Sequence, residues 1–259
     1  MRICRFTTPQ ASTPRFGIIE GDSILPLAEG ETIESFPSLR TDKPISISNV
    51  KLVAPAAPSK IICVGRNYKD HAAELGNPMP PEPLLFLKAP SAIIGDGETI
   101  ILPGESSDVQ HEGELGVVVG RRARNLRDDE DELSYVLGYT CVNDVTARDL
   151  QKKDIQFTRA KSFDTFCPVG PTIVTDIDPD DLQVTTRVNG EVRQHGRTSA
   201  MAFSVPFLVR YISRIMTLLP GDLISTGTPA GVSALKSGDL VEVEVSRIGR
   251  LSNPVTRTR

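Results

Sequence analysis

Short runs in which apolar and polar residues alternate open the chain: RICRF, RFGIIE and SILPL, separated by Pro, Gly and Asp. A period of two predicts short strands, so residues 1–55 read as a small β-rich N-terminal domain. The proline-spaced VAPAAPSK marks its boundary with a larger domain over residues 56–259. From Lys60 the pattern changes to valine- and isoleucine-rich strands, KIICVG, GVVVG, YVLGYTCVN and LVEVEV, with few helices between them. The clearest predicted helix is SVPFLVRYISRIMTL. Ser204 can cap it, Pro206 sits in its first turn, and Leu208, Tyr211, Ile212, Ile215 and Met216 make one apolar face while Arg210 and Arg214 look out. A shorter helix is predicted in GRNYKDHAAELGNPMPPEP, where Gly65 turns the chain, Asp70 caps and Gly76 ends the helix before a proline-rich tail. Strands dominate and helices do not alternate with them, which predicts a β-rich α+β fold rather than a doubly wound sheet.

The stretch VQHEGELGVVVG breaks the apolar pattern with two acids. On a strand Glu112 and Glu114 point one way, and Leu115, Val117 and Val119 the other. Two carboxylates on one small patch repel unless solvent, a shared proton or a cation relieves them. His111 points to the opposite face from both glutamates. A third acid, Asp144, stands at a strand end in GYTCVNDVTARDLQ. Three oxygen donors with no cysteine and no obvious histidine ligand favour a hard cation, Mg²⁺ or Mn²⁺, with Ca²⁺ also admitted. The local pattern equally allows a solvated strand face and an Asp144 that caps a helix beginning at Val145.

In the short helix His71 and Glu74 are three residues apart and share a face, so the glutamate can orient the imidazole and raise its basicity. Such a brief helix between connectors suits a lid, although a surface His/Glu pair would read the same. Lys161, in RAKSFDTFCPVGP, could stabilise an enolate or a carboxylate near a metal, or lie along the surface. The loop STGTPAGV offers backbone N–H groups and the Thr228 hydroxyl to a carboxylate, or is a plain turn.

Composition narrows the partners. The 259 residues are 39% hydrophobic and 24% charged, with a formal charge of -4, which suits a soluble globular protein. That balance argues against a nucleic-acid surface or a membrane anchor and for a small-molecule partner. The start, MRICRFTTPQ, lacks the apolar core of a signal peptide, and no apolar run approaches the roughly 20 residues of a membrane span, so a cytoplasmic protein is expected. Cys4, Cys63, Cys141 and Cys167 are far apart in mostly apolar surroundings and read as buried, reduced thiols.

Taken in order, GRNYKDHAAE, LFLKAPSA, HEGELGVVVG, GYTCVNDVTARDLQ, AKSFDTFCPVGP, VNGEVRQ and LISTGTPAGV strongly resemble the fumarylacetoacetate hydrolase family over about residues 60–250. Residues 1–55 look like the less distinctive N-terminal domain that many members carry. The resemblance implies a mixed β-roll that binds Mg²⁺ or Mn²⁺ through Glu112, Glu114 and Asp144. It also implies a lid that brings His71 and Glu74 over the metal, as in the acylpyruvate hydrolase and oxaloacetate decarboxylase branch. Gln151, Lys161 and Thr228 fall where that family contacts substrate, Arg66 and Tyr68 are further candidates, and a homodimer is implied. The expected activity is metal-dependent hydrolysis of acylpyruvates or related 2,4-diketo acids, 2-oxo acids cleaved through a metal-bound pyruvate enolate. In it His71 and Glu74 activate water and Lys161 helps to hold the developing charge. The alternatives are an oxaloacetate decarboxylase, a 2-hydroxyhepta-2,4-diene-1,7-dioate-type isomerase and a non-enzymatic scaffold with a structural ion.

Overall fold

Every residue of the strand Gly113–Val119 is buried, because the chain covers both of its faces. The computed structural model describes residues 1–28, 32–33 and 42–257. Gly113–Val119 lies in the larger of the described sheets, between Val136–Asn143 on one side and Leu223–Ser225 on the other, both antiparallel to it. The sheet continues from Leu223–Ser225 through Ile61–Gly65, in parallel, to Leu84–Lys88. On the other side it runs through Cys167–Val174 to the N-terminal strand Arg2–Thr8, where Arg2 pairs with Val174. The β-rich start of the chain is therefore hydrogen-bonded into the same sheet. A second sheet holds Glu191–Arg197, Gln183–Val188, Leu240–Val245, Gly249–Arg257 and Ile100–Leu102. Parallel and antiparallel pairs coexist, and the fold is the expected β-rich α+β type with mixed sheets.

Two apolar layers follow from the alternation of side chains. Leu115, Val117 and Val119 pack with Val243, Val245 and Leu251 of the second sheet and with Leu208, Val209 and Ile212 of a helix. Val118, on the other face, joins Ile61, Cys63, Val142 and Phe166. Glu112 and Glu114 share the parity of Val118 and enter that second layer.

The helix Val205–Ile215 has Pro206 in its first turn, and Ser204 occupies the cap position without a side-chain hydrogen bond. Its buried face is Val205, Leu208, Val209 and Ile212, not the expected Leu208, Tyr211, Ile212, Ile215 and Met216. Ile215 is 56% exposed. The apolar pattern is wider than one face: Phe203, Phe207 and Tyr211 form an adjacent stacked stripe, with ring centroids 5.6 and 5.9 Å apart. Three other local expectations are corrected. Arg66, with φ of 57°, makes the turn expected at Gly65, which ends its strand. The short helix expected here is Lys69–Glu74 with Tyr68 at the cap position, so Asp70 lies inside the first turn. No helix begins at Val145: a two-residue strand, Thr146–Ala147, intervenes before the helix Arg148–Lys153, and Asp144 caps nothing. Gly76, with φ of 68°, does follow the end of the helix Lys69–Glu74. Among the described residues no helix is long and apolar enough to cross a membrane.

All four cysteines are buried free thiols. Burial pushes Cys4, Cys141 and Cys167 up from 9.0 to about 12. An unfolded chain ionises these thiols as pH rises from 9.0 towards 12 while the folded chain holds their protons, so their contribution to stability is complete below pH 9.0 and is lost above it. Native protein should therefore leave Ellman's reagent unreacted at pH 8 and react only on unfolding, and its denaturation midpoint should fall between pH 9 and 11. Fast modification of the native protein would contradict this burial.

Candidate metal centre and its cavity

The strand register brings the acids together. Gly113 pairs with Asn143, so Glu112 and Asp144 stand side by side just beyond the paired ends of neighbouring strands. Asp144 N–H donates to the Glu112 carbonyl at 2.8 Å, and Glu112 N–H donates to Asn143 Oδ1 at 3.0 Å. Glu112, Glu114 and Asp144 are all buried, and one carboxylate oxygen from each lies within 4.8 Å of the others. A solvated strand face is thereby excluded.

Buried carboxylates need partners. Lys161, the last residue of the short helix Thr158–Lys161, donates to Glu112 Oε2 at 2.7 Å and Asp144 Oδ2 at 2.6 Å. Lys88, at the end of Leu84–Lys88, donates to Asp144 Oδ1 at 2.6 Å and to the Val145 carbonyl at 3.1 Å. Arg148 Nη2 donates to Glu112 Oε1, while its other nitrogens reach Gln110 and Gln151. Formally, three cations face three acids. Their distribution is uneven. For Glu112, burial alone would raise the pKa, but Lys161 and Arg148 outweigh it and hold the carboxyl well below the usual range. Glu114 receives only neutral donors on Oε2, Ser225 Oγ at 2.5 Å and Gly227 N–H at 2.8 Å. Burial first, then Asp144 and Glu112, push it up to about 8. A buried acid that lacks a cationic partner, beside two further carboxylate oxygens, fits a hard divalent cation.

A cavity of about 290 Å³ opens onto these acids. Of the residues singled out from the sequence, Arg66, His71, Gln151, Lys161 and Thr228 line it together with Glu112, Glu114 and Asp144. His71 is 4% exposed, and its Nδ1 lies 3.3 Å from Glu74 Oε2. Glu74 stands behind the imidazole rather than in the lining, its carboxylate accepting from Gly231 N–H at 3.0 Å. Tyr68 is buried but lines no part of this cavity. His111 is held apart by Gln194 and Ser233, consistent with its facing away from the acids. Phe86 and Phe157, in edge-to-face contact at 5.6 Å, form an apolar wall, and the Lys161 ammonium lies 4.9 Å from the Phe86 ring centre.

Sequence reasoning missed Lys88, Arg148, Ser225 and Gln194. A lysine closing the apolar run LFLK was the one available sign for Lys88, and Arg148 stands four residues past Asp144 in the block already singled out. Neither sign states which acid the cation meets.

The fold and the acids together place the chain in a family. It belongs to the fumarylacetoacetate (FAA) hydrolase C-terminal family, whose model matches residues 60–256, and residues 1–55 match one described as Rv2993c-like, N-terminal. Among its relatives is oxaloacetate tautomerase YisK of Bacillus subtilis, 46% identical over 81% of this chain and 74% of that protein. Solved structures similar to it include 2-hydroxyhepta-2,4-diene-1,7-dioate isomerase from Mycobacterium marinum, with a TM-score of 0.89 and 44% identity over 100% of this chain and 99% of that one. Another is maleylpyruvate hydrolase from Sphingobium sp. SYK-6 in complex with manganese (II) ion and pyruvate, with a TM-score of 0.81 and 30% identity over the full length of both chains. The relatives thus carry the names of a tautomerase, an isomerase and a hydrolase.

Removing one partner of a buried ion pair costs about 3–5 kcal/mol. Lys88→Met is expected to lower stability by about that amount in chemical denaturation without added divalent cations, because Asp144 loses the cation on its Oδ1. An unchanged midpoint would contradict the buried pairing.

Proposed function

We propose that this protein is a Mg²⁺- or Mn²⁺-dependent enzyme that moves a proton at C3 of a small 2-oxo dicarboxylate, with keto–enol tautomerisation of oxaloacetate as the reaction the site fits best. The observation that carries this reading is the buried charge balance. Lys88, Lys161 and Arg148 already offset Glu112, Glu114 and Asp144 in number, and Arg66 and Lys152 also line the cavity, so a bound divalent cation would leave it strongly positive, which suits a dicarboxylate dianion. A cavity of about 290 Å³ is at the small end of ligand sites and suits such an acid. The kinship with a protein named oxaloacetate tautomerase supports the same choice.

When bound, the cation supplies Lewis-acid stabilisation of negative charge on the 2-oxo oxygen and is held by Glu112, Glu114 and Asp144. Arg66 and Gln151 bind and orient the carboxylates of the substrate from the cavity wall, where Thr228 also stands with its hydroxyl hydrogen given to the Gly113 carbonyl. Glu74 holds one ring nitrogen of His71 and leaves the other for the substrate. His71 takes the proton from C3 and returns it to the 2-oxygen: a C–H bond breaks, an O–H bond forms, and no atom is gained or lost. Lys161, whose pKa the acids Asp144 and Glu112 raise against the opposing effect of burial, stays cationic and faces the charge that builds on that oxygen. Phe86 and Phe157 form the apolar part of the cavity wall.

A second reading, hydrolysis of acylpyruvates, is favoured by Glu74 itself. Its anchorage to Gly231 N–H gives a fixed dyad that can activate water for attack at the C4 carbonyl. Isomerisation and decarboxylation share the charge at C3. Two assays on metal-loaded protein separate the readings: decay of enol-oxaloacetate absorbance and pyruvate release from acetylpyruvate, each repeated with excess chelator. Metal-dependent enol decay that outpaces pyruvate release is expected. Dominant pyruvate release would establish the hydrolase, and inactivity on both would leave a scaffold for the ion.

Two variants divide the roles. Glu74→Ala should lower turnover by about 10²–10⁴-fold with folding and Mn²⁺ affinity nearly intact. Glu112→Ala should lose the Mn²⁺, read by electron paramagnetic resonance. Native turnover by Glu74→Ala would remove the dyad from the mechanism.

A further inference from the structure

Gln194, from the block VNGEVRQ, is fully buried in the strand Glu191–Arg197, and the mechanism above gives it no part. Its side-chain amide joins two segments of the site. Oε1 accepts from Gly113 N–H at 2.9 Å, between the two glutamates, and lies 3.0 Å from His111 Nδ1. Nε2 donates to Thr228 Oγ1 and to the Pro229 carbonyl, both at 2.7 Å. The orientation of the amide follows from its partners: a backbone N–H only donates and a proline carbonyl only accepts. His111 must then carry its proton on Nδ1 and accept from Ser233 Oγ at Nε2, 2.8 Å away. Thr228, in turn, accepts from Gln194 and donates to the Gly113 carbonyl at 2.8 Å. Every hydrogen in this small network has one place.

The loop that Gln194 grips, Thr226 to Gly231, touches one acid of the metal centre, the segment before the short helix, and Glu74 at the end of that helix. Thr226 carbonyl accepts from Asn67, next to the lid helix; Gly227 N–H holds Glu114; Gly231 N–H holds Glu74. Backbone packing shows independently how close the contact is. A Cβ on Gly231, whose φ is 102°, would lie 2.0 Å from the Arg193 carbonyl oxygen, and one on Gly196 would lie 2.6 Å from Pro229 Cβ. The residues on either side of Gln194 thus meet the loop where only glycine fits.

We propose that Gln194 is a positioning residue that locks the Thr226–Gly231 loop to the strand segment carrying Glu112 and Glu114, and so couples the metal centre to the seating of Glu74 and the lid. The proposal rests on the reading of His71 and Glu74 as the proton-handling pair.

Gln194→Glu keeps the acceptor towards Gly113 and His111 but turns a second oxygen towards the Pro229 carbonyl, which only accepts, and towards Thr228, which can meet it only by giving up its bond to Gly113, so the hold on the loop is broken. Gln194→Leu removes both halves without burying a charge, and it is read in the same way should the first variant not fold. Hydrogen–deuterium exchange on the Mn²⁺-loaded full-length protein reads the lid directly. Amide exchange over the segments 69–77 and 226–231 should rise about tenfold in either variant, while Val136–Asn143 keeps its protection. Under saturating Mn²⁺, kcat should fall about tenfold with KM changed less than about threefold, since Gln194 touches no substrate. Unchanged lid exchange, a uniform rise across the protein, or a loss confined to KM would each overturn the proposal. If the wild type turns over no oxo acid while lid exchange still responds to Gln194, the coupling stands and the functional reading fails.

Discussion

The structure depends on one electrostatic constraint: three carboxylates are buried together, and only two of them are within hydrogen-bonding reach of the three cations. Glu112 and Asp144 take all of the positive charge, from Lys161, Lys88 and Arg148, and Glu114 takes neutral donors alone. Isolated charges in such surroundings are prohibitively costly, so the cluster exists only because sheet register, two strand ends and two short helices deliver partners to the same point. Glu114 is the residue whose environment is incomplete without a further cation. The metal reading follows from that imbalance, and the proposal of a doubly charged substrate follows from the positive charge that a bound divalent cation would leave in the cavity.

The fold serves this cluster by making its strands converge. Gly113–Val119 contributes one acid and, through the residue before it, a second, while Val136–Asn143 delivers the third just past its last pair. Leu223–Ser225 brings Ser225 to Glu114, and the loop beyond it reaches Glu74. The helix that carries His71 and Glu74 is only six residues long and is pinned by tertiary contacts at Asn67 and Glu74 rather than by a side-chain cap. A helix this short has little stability of its own, and its position is set by what holds its ends.

Much of the candidate site was legible along the chain because strand alternation is a strong rule. It put Glu112 and Glu114 on one side of a strand and His111 on the other, and the strand end marked Asp144. The ordered blocks made the family recognisable, and the matching family model and relatives bear that out. The cations were not legible in the same way. Lys88 and Arg148 meet their acids across 56 and 36 residues of sequence, and no local period encodes such a pairing. Local rules also slipped where tertiary contacts override propensity. Arg66 adopts the left-handed turn that Gly65 could have made more easily, and helix Val205–Ile215 buries Val205 and Val209 because its aromatic stripe stacks on the outside.

The central claim is that the three acids form a divalent-cation site, and anomalous scattering from crystals grown with Mn²⁺ tests it most directly. One strong peak among the Glu112, Glu114 and Asp144 carboxylates is the expected result. A fully ordered site with no peak there, or with the manganese bound elsewhere, would contradict the account.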